Sequence, residues 1–289
     1  MGTLLRIERQ AARATRFQSP DRGSAAPALL LALCLALLVA VTVYVFAAHL
    51  FAAPPPITSA AKQVDRQYDL TLYAAGAAFV LAQLSLGYMV FRYRDRGRRV
   101  RFTRGNTILE IAWTTITLCV FLGLGIAGNR VWADLETAPT PAAAIQVEVT
   151  ESQFVYTFRY PGPDGKFGRL DASLVSPATG NPLGLDPNDT AGKDDIITGS
   201  LTVPVNRPVE LLLRSQDVIH NFFVRELRLQ QDAVPGMVIP MHFTPDRIGR
   251  YEIVCTQLCG LGHYHMHSLL SVVSADDYAS FLKQQAAAQ

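Results

Sequence analysis

The chain has 289 residues, of which 49% are hydrophobic and 17% are charged, and its formal net charge is +2. This length accommodates one exposed domain together with membrane segments. The small positive charge does not indicate nucleic-acid binding, because the arginines are concentrated in two short stretches. Of the four cysteines, Cys34 and Cys119 lie inside apolar runs, so the soluble part has only one pair and no disulfide framework.

Three apolar stretches are long enough to span a bilayer. They cover residues 27–51, about 70–91 and about 108–127. Seven arginines among the thirteen residues 92–104 separate the second stretch from the third, and further arginines precede the first: Arg6, Arg9, Arg13, Arg16 and Arg22. By the positive-inside rule both arginine-rich stretches are cytoplasmic, so that residues 54–67 and everything after Asn129 lie outside.

The first apolar stretch has two interpretations. Its apolar run is longer than that of a usual signal peptide, and the leader of residues 1–25 before it is long. The pair Ala52-Ala53 nevertheless leaves cleavage conceivable. We interpret residues 26–53 as a retained anchor added in front of a transmembrane helical hairpin, residues 68–130.

Glu110 lies at the membrane boundary, at the start of the third stretch. A carboxylate in this position is either an interfacial charge that reaches toward water or a part of a proton path. The sequence pattern alone favours the interfacial charge, and the adjacent Trp113 is typical of an interfacial aromatic.

After a proline-containing linker at residues 138–141, the pattern changes to short alternating strands. Residues 145–150, 201–205 and 252–254 alternate between apolar and polar side chains. Several short strands separated by Gly, Pro and Asn predict a β-sandwich in residues 134–289. Ser274 and Asp277 form a capping-box signal for a short terminal helix.

A Gly-, Pro- and Asp-rich insert interrupts this domain at residues 161–199. Residues 161–198 contain six aspartates and three basic residues, without apolar periodicity, which predicts a loop rather than core. An acidic loop could steer a basic partner protein toward the domain, although a solvated loop needs no such role.

A cluster of metal-binding side chains follows the strand at residues 252–254. Two cysteines are spaced by three residues, then come a histidine and a methionine at fixed offsets, and a further histidine lies upstream: Cys255, Cys259, His263, Met266 and His220. Thiolates, imidazoles and a thioether are the ligand types that select copper over hard cations. A blue-copper site uses only one cysteine, so the second one suggests a loop expanded to hold two metals bridged by thiolates.

A zinc site and a Cys255–Cys259 disulfide are the alternatives for this cluster. Zinc accepts two cysteines and two histidines, and the cysteine spacing alone does not exclude it. Neither alternative uses Met266, and a disulfide does not use His220, which favours copper. His242, His265 and His267 are expected at the surface or around the site, without binding the metal.

The segment resembles subunit II of the haem–copper cytochrome c oxidases, whose dinuclear CuA motif is Cys-x-x-x-Cys-x-x-x-His-x-x-Met. The stretches Asp217-Val-Ile-His220 and Asp232-Ala-Val-Pro-Gly236 match the same family, and the similarity extends from about residue 68 to the C-terminus. The resemblance implies a cupredoxin-like Greek-key sandwich behind the helical hairpin.

The resemblance also implies a ligand set for two copper ions. Cys255 and Cys259 would bridge the ions, His220 and Met266 would complete one, and His263 with the main-chain carbonyl of Gln257 would complete the other. The family usually has Glu at the position of Gln257, where its carboxylate reaches a magnesium ion at the interface with subunit I. An amide lacks that charge, which argues against magnesium here.

Other residues acquire expected roles from the resemblance. Phe154 and Tyr156 occupy the two positions of a Gln-Trp-x-Trp motif whose first Trp receives electrons from cytochrome c, although alternating aromatics also pack into cores. Asp217 corresponds to a carboxylate that docks the donor, and it could equally be a turn residue. Glu110 corresponds to a glutamate at the mouth of a proton channel into subunit I.

The sequence thus predicts subunit II of a terminal cytochrome c oxidase in the plasma membrane of a bacterium, with its copper domain in the periplasm. It would accept electrons from cytochrome c and pass them to subunit I, which reduces oxygen. A copper subunit of a nitric oxide reductase shares the motif. A membrane protein for copper binding or delivery is a third possibility, which Glu110 and the hairpin disfavour.

Overall fold

The computed structural model describes residues 25–94, 105–137 and 139–288. The N-terminal tail and most of the arginine-rich stretch 92–104, on which the predicted topology depends, lie outside the described residues. Within the described part the chain forms two compact units. Of the described residues, the first contains 25–52, 69–94 and 105–124, and the second contains 53–68, 125–137 and 139–288.

Three helices within the described part are long and apolar enough to cross a membrane. They are α1 (Ala25–Ala47), α2 (Ser59–Arg92) and α3 (Thr107–Glu136). α2 and α3 contain the second and third predicted apolar stretches, and polar residues continue both helices beyond their apolar parts. α1 covers most of the first stretch but ends at Ala47, before the predicted end at residue 51. Asn106 precedes α3 as its N-cap, and its side-chain oxygen accepts the amide hydrogen of Leu109 at 3.2 Å.

The start of α2 belongs to the β-rich unit. The side chains of Ile57, Thr58 and Ala61 are buried there. Arg228 of the β-rich unit forms an ion pair with Asp65 in this segment, with Nε of Arg228 2.7 Å from Oδ1 of Asp65. The expected external loop at residues 54–67 is therefore partly helical and packed, a feature that its polar composition did not indicate.

Ten strands within the described part form a sandwich of two five-stranded sheets. The strands are β1 (Ile145–Ser152), β2 (Val155–Tyr160), β3 (Ile196–Thr198), β4 (Leu201–Pro204), β5 (Val209–Ser215), β6 (His220–Val224), β7 (Leu229–Ala233), β8 (Ile239–Phe243), β9 (Gly249–Val254) and β10 (His267–Val273). The strand order is β3-β2-β1-β5-β8 in one sheet and β4-β10-β9-β6-β7 in the other. β1 pairs with β5 in parallel and β10 pairs with β4 in parallel, whereas the other pairs are antiparallel. The predicted sandwich is confirmed.

Alternating apolar side chains of both sheets fill the space between them. In β5 the inward positions Val209, Leu211 and Leu213 are fully buried, as the two-residue period of a strand requires. The predicted terminal helix is present as α4 (Ala275–Ala288). Oγ of Ser274 accepts the amide hydrogen of Asp277 at 3.1 Å and donates to its carboxylate, so Ser274 is the N-cap of this helix.

The acidic insert is not loop throughout. It contains three short 3₁₀ turns, and it ends in β3, which pairs with β2. The carboxylate of Asp195 lies 2.8 Å from Arg159 in a buried ion pair. Asp186 and Asp189 bind Arg169. Half of its six aspartates thus contact arginines locally, which a composition count does not show.

Candidate metal centre

The metal-binding motif forms a loop between β9 and β10. The amide of Cys255 donates to the carbonyl of Met266 at 3.2 Å, so the two ends of the loop are held together. Gly260 has φ of 143°, a conformation that L side chains rarely adopt. The two cysteines and Met266 are buried, whereas Leu261 at the tip of the loop is 98% exposed.

The loop brings sulfur, nitrogen and oxygen donors close together. The two cysteine Sγ atoms lie 3.9 Å apart, and Sγ of Cys255 is 3.1 Å from the carbonyl oxygen of Gln257. Sγ of Cys259 is 3.5 Å from Nδ1 of His263 and 3.9 Å from Sδ of Met266. One metal atom can touch both sulfurs, since two bonds of about 2.3 Å span up to about 4.6 Å.

His220 enters the same cluster from β6. The ligand atoms of His220, Cys255 and Cys259 all lie within 4.8 Å of one another. Nε2 of His220 is 2.7 Å from Oδ1 of Asp217, and Nδ1 is buried without a hydrogen-bond partner in the described part of the chain. A carboxylate that accepts Nε2–H leaves the lone pair on Nδ1, the form in which histidine binds a metal.

Asp217 is held in its charged form by several donors. Burial raises the pKa of Asp217, but the amide hydrogen of Gln153, the imidazole of His220 and the amide of Val218 outweigh burial and lower it. Oδ2 of Asp217 accepts the Gln153 amide at 2.8 Å. The residue therefore joins the β1–β2 turn to a candidate ligand.

The donor set fits copper better than it fits a disulfide or a zinc ion. The cysteines are free, and their 3.9 Å separation far exceeds a disulfide bond of about 2.05 Å. A single tetrahedral zinc ion uses four ligands, whereas this cluster presents five side chains and the carbonyl of Gln257. Sulfur-rich sets of this kind select copper.

The thiols must lose protons when a metal binds. Burial, followed by the neighbouring Cys255, raises the pKa of Cys259 to about 11. At neutral pH the metal-free Cys259 is therefore protonated. Metal binding releases such protons, so that loading is favoured as the pH rises.

Phe154 lies directly against the loop. A Cβ added at Gly262 would come within 2.4 Å of its ring, and one added at Gly260 within 3.1 Å. The preceding Gln153 donates its side-chain amide to the carbonyl of Cys259 at 2.6 Å. Phe154 is 37% exposed, so its ring contacts both the loop and the solvent.

Tyr156 occupies a different environment from Phe154, because it is buried in the core. Its hydroxyl donates to the carbonyl of Asn221 at 2.7 Å, next to His220. The Asn221 amide in turn donates to Asp232 at 2.7 Å and accepts from Thr256 at 2.6 Å. Sequence patterns did not identify Asn221, Gln153 or Gly262, since their roles depend on contacts between distant strands.

The side chains of the remaining candidate residues are exposed or half-buried. His265 and His267 are exposed, and His242 is half-buried on β8. The side chain of Gln257 is exposed although its carbonyl faces Cys255. Glu110 is exposed in the first turn of α3, where its carboxylate folds over Gly105.

Comparisons with known proteins agree with this architecture. A family model described as "Cytochrome C oxidase subunit II, periplasmic domain" matches residues 189–273. The alternative cytochrome c oxidase subunit 2 of Bradyrhizobium diazoefficiens is 37% identical over 238 residues, covering 80% of this chain and 83% of the relative. Cytochrome c oxidase subunit 2 of Cereibacter sphaeroides is 30% identical over 242 residues, covering 80% and 78%.

Among solved structures, the periplasmic domain of subunit II of cytochrome oxidase of Bradyrhizobium japonicum is similar, with 23% identity and a TM-score of 0.38. The matched region covers 51% of this chain and 96% of that structure. The two sequence relatives match most of both chains at 30% identity or more. The chain therefore belongs to the cytochrome c oxidase subunit II family, whose members are subunits of an oxidoreductase complex.

Proposed function

We propose that this chain accepts electrons from cytochrome c at a dinuclear CuA centre and passes them to the haem–copper subunit I, which reduces oxygen to water. The observation that carries the proposal is the convergence of two buried cysteine sulfurs 3.9 Å apart with His263, Met266 and a histidine, His220, whose Nδ1 has no partner in the described part of the chain. The relatives are named as cytochrome c oxidase subunits, which favours oxygen over nitric oxide as the terminal acceptor.

Each ligand has a distinct task in this proposal. Cys255 and Cys259 would bridge the two ions, His220 and Met266 would complete one, and His263 with the carbonyl of Gln257 the other. When bound, the copper pair supplies reversible one-electron transfer. The protein fixes the ligands beforehand, through Asp217 on His220 and Gln153 on the loop.

Electrons are proposed to enter near Phe154. Its ring is half in solvent and half against Gly260 and Gly262, so it lies between an external donor and the sulfur ligands. Tyr156 is buried in the core, so that a donor at the surface contacts Phe154 first. Large exposed apolar side chains rim the loop and suit burial against a partner protein: Leu258, Leu261 and Tyr264.

The helices are proposed to anchor the chain in the plasma membrane of a bacterium, with the β-sandwich in the periplasm. Their length and apolar composition support this placement. Glu110 would hand protons to a path in subunit I. Asp217 and the acidic insert would attract a basic donor, although the local ion pairs of Asp186, Asp189 and Asp195 reduce the free charge of the insert. The amide of Gln257 argues against magnesium at the subunit interface.

Copper content tests the proposal. We expect the full-length chain, purified in detergent and loaded with copper, to bind two ions per chain. Cys255→Ser and Cys259→Ser should each lose the pair because each removes a bridge. Met266→Leu should keep both ions and shift the potential, since a thioether is a weak axial ligand. One ion per wild-type chain would contradict the dinuclear assignment.

A further inference from the structure

A glutamate occupies a core position of the sandwich. Along β1 the side chains of Val147, Val149 and Glu151 share one face, because strand residues alternate between faces. Val147 and Val149 are fully buried, and so is Glu151, with 0% exposure. It is the residue before the end of β1, beside the turn that carries Gln153 and Phe154.

Neither carboxylate oxygen of Glu151 has a hydrogen-bond partner within residues 25–94, 105–137 and 139–288. Glu148 on the same strand shows the contrast: it is also buried, but it binds the guanidinium groups of Arg159 and Arg214. A buried carboxylate without a partner is strongly disfavoured, so the group takes a proton instead. Glu151 is thus a neutral acid, because it lacks the ion pairs that Glu148 makes.

The groups around Glu151 reinforce the neutral form. Tyr156 lies opposite it on β2, and the parallel neighbour Ser215 on β5 carries no charge. β7 contributes Asp232, and β6 carries His220 at the same end of the sandwich. Burial, and then the like charge of Asp232, raise the pKa of Glu151 well above its ordinary value.

Tyr156 and Gln153 connect Glu151 with the candidate metal centre. Tyr156 pairs with Glu151 across β1 and β2, and its phenol group interacts electrostatically with Glu151, Cys255 and Cys259. Gln153, two residues along, binds the carbonyl of Cys259. In a poorly polarisable interior, a change of one charge at the centre therefore acts on the carboxyl group with little screening.

We propose that Glu151 is a redox-linked proton site, which binds a proton when the neighbouring metal pair gains an electron and releases it when the electron leaves. This inference rests on the proposed CuA function. The added electron removes positive charge near the carboxylate, which favours its neutral form. One proton from the solvent outside then bonds to a carboxylate oxygen, one electron resides on the metal pair, and oxidation reverses both transfers.

The test is the midpoint potential of the copper-loaded full-length chain in detergent, measured against pH. We expect the wild-type midpoint potential to fall as the pH rises above the range in which carboxyl groups ordinarily titrate. The steepest possible fall is about 59 mV for each pH unit. Glu151→Gln, which keeps the shape but cannot titrate, should give a flat response there. Glu252→Gln, an exposed glutamate on β9, should behave as wild type.

A second variant and a second readout keep the test decisive. Asp232→Asn removes the like charge and should move the sloping region to lower pH. Infrared spectra of the metal-free chain should show a protonated carboxylic acid band at neutral pH that Glu151→Gln removes. An unchanged slope in Glu151→Gln, or a missing band, would overturn the inference while leaving the metal pair intact. Failure to form the dinuclear spectrum in wild type would overturn both proposals.

Discussion

Nε2 of His220 lies 2.7 Å from Oδ1 of Asp217, and this contact leaves the lone pair of the buried histidine on Nδ1, free for the proposed metal. The same carboxylate accepts the amide hydrogen of Gln153 through Oδ2 at 2.8 Å. Asp217 therefore fixes a candidate ligand and also ties the turn that carries Phe154 to the site. The sequence predicts that Asp217 docks a donor, and the structure adds that Asp217 positions the imidazole of His220.

Asp217→Asn tests this positioning role. The amide keeps the shape of the side chain but loses the charge that stabilises the Nε2–H form of His220, so we expect copper affinity to fall by roughly 10- to 100-fold. Competition with a chelator of known affinity measures the change. The exposed Asp276→Asn on α4 serves as the matched control. Equal affinities of the two variants would show that Asp217 does not orient the ligand.

Phe154→Ala tests the proposed site of electron uptake. Loss of the ring removes the contact between the solvent-facing surface and the metal loop, so we expect oxidation of reduced cytochrome c to slow by roughly tenfold, about 1.4 kcal/mol of activation free energy. The copper spectrum should not change. Val155→Ala removes an exposed apolar side chain next to Phe154 and should have little effect. Unchanged donor oxidation in Phe154→Ala would make the ring a packing residue only.

The parts of this molecule that the sequence predicts are those encoded by local patterns. The membrane helices follow from apolar length, the strands from two-residue alternation, and the metal loop from the spacing of Cys255, Cys259, His263 and Met266. The two-residue alternation of β1 places Glu151 on the same buried face as Val147 and Val149. A carboxylate is polar, however, and it interrupts the apolar pattern by which core positions are recognised.

The features that escaped prediction depend on contacts between residues far apart in the chain. Gln153 reaches Cys259, Asn221 joins Tyr156 to Thr256, and Arg228 binds Asp65 across 163 positions. The strand at the end of the insert is only three residues long, and its anchor is the ion pair of Asp195 with Arg159. No periodicity over so few residues distinguishes such a strand from a loop.

Glu151→Gln should stabilise the metal-free protein at neutral and alkaline pH. The folded chain holds a proton on Glu151, whereas the unfolded chain loses it above about pH 4.3. Because the folded state binds more protons, its stability falls as pH rises, by up to about 1.4 kcal/mol per pH unit, until the raised pKa of the folded state is passed. Thermal melts across pH should therefore show a gain in Tm for Glu151→Gln that grows with pH. A gain that is constant with pH would contradict a buried neutral acid.

Glu110→Gln should slow turnover in the assembled oxidase without affecting copper. The residue lies in the first turn of α3, and the amide removes its proton-carrying group while keeping its shape. We expect a severalfold lower steady-state rate of oxygen reduction, with the copper spectrum and donor affinity unchanged. Glu136→Gln, at the opposite end of the same helix, is the matched control. Equal turnover in both variants would reduce Glu110 to an interfacial charge.

The proposed function requires that Cys255 and Cys259 bridge two copper ions that share one unpaired electron. The most direct measurement is the electron paramagnetic resonance spectrum of the copper-loaded full-length chain in its mixed-valence form. Two equivalent ions predict hyperfine splitting from both copper nuclei, because the electron is delocalised over the pair. Splitting from a single copper nucleus, with the spin localised on one ion, would contradict the dinuclear assignment.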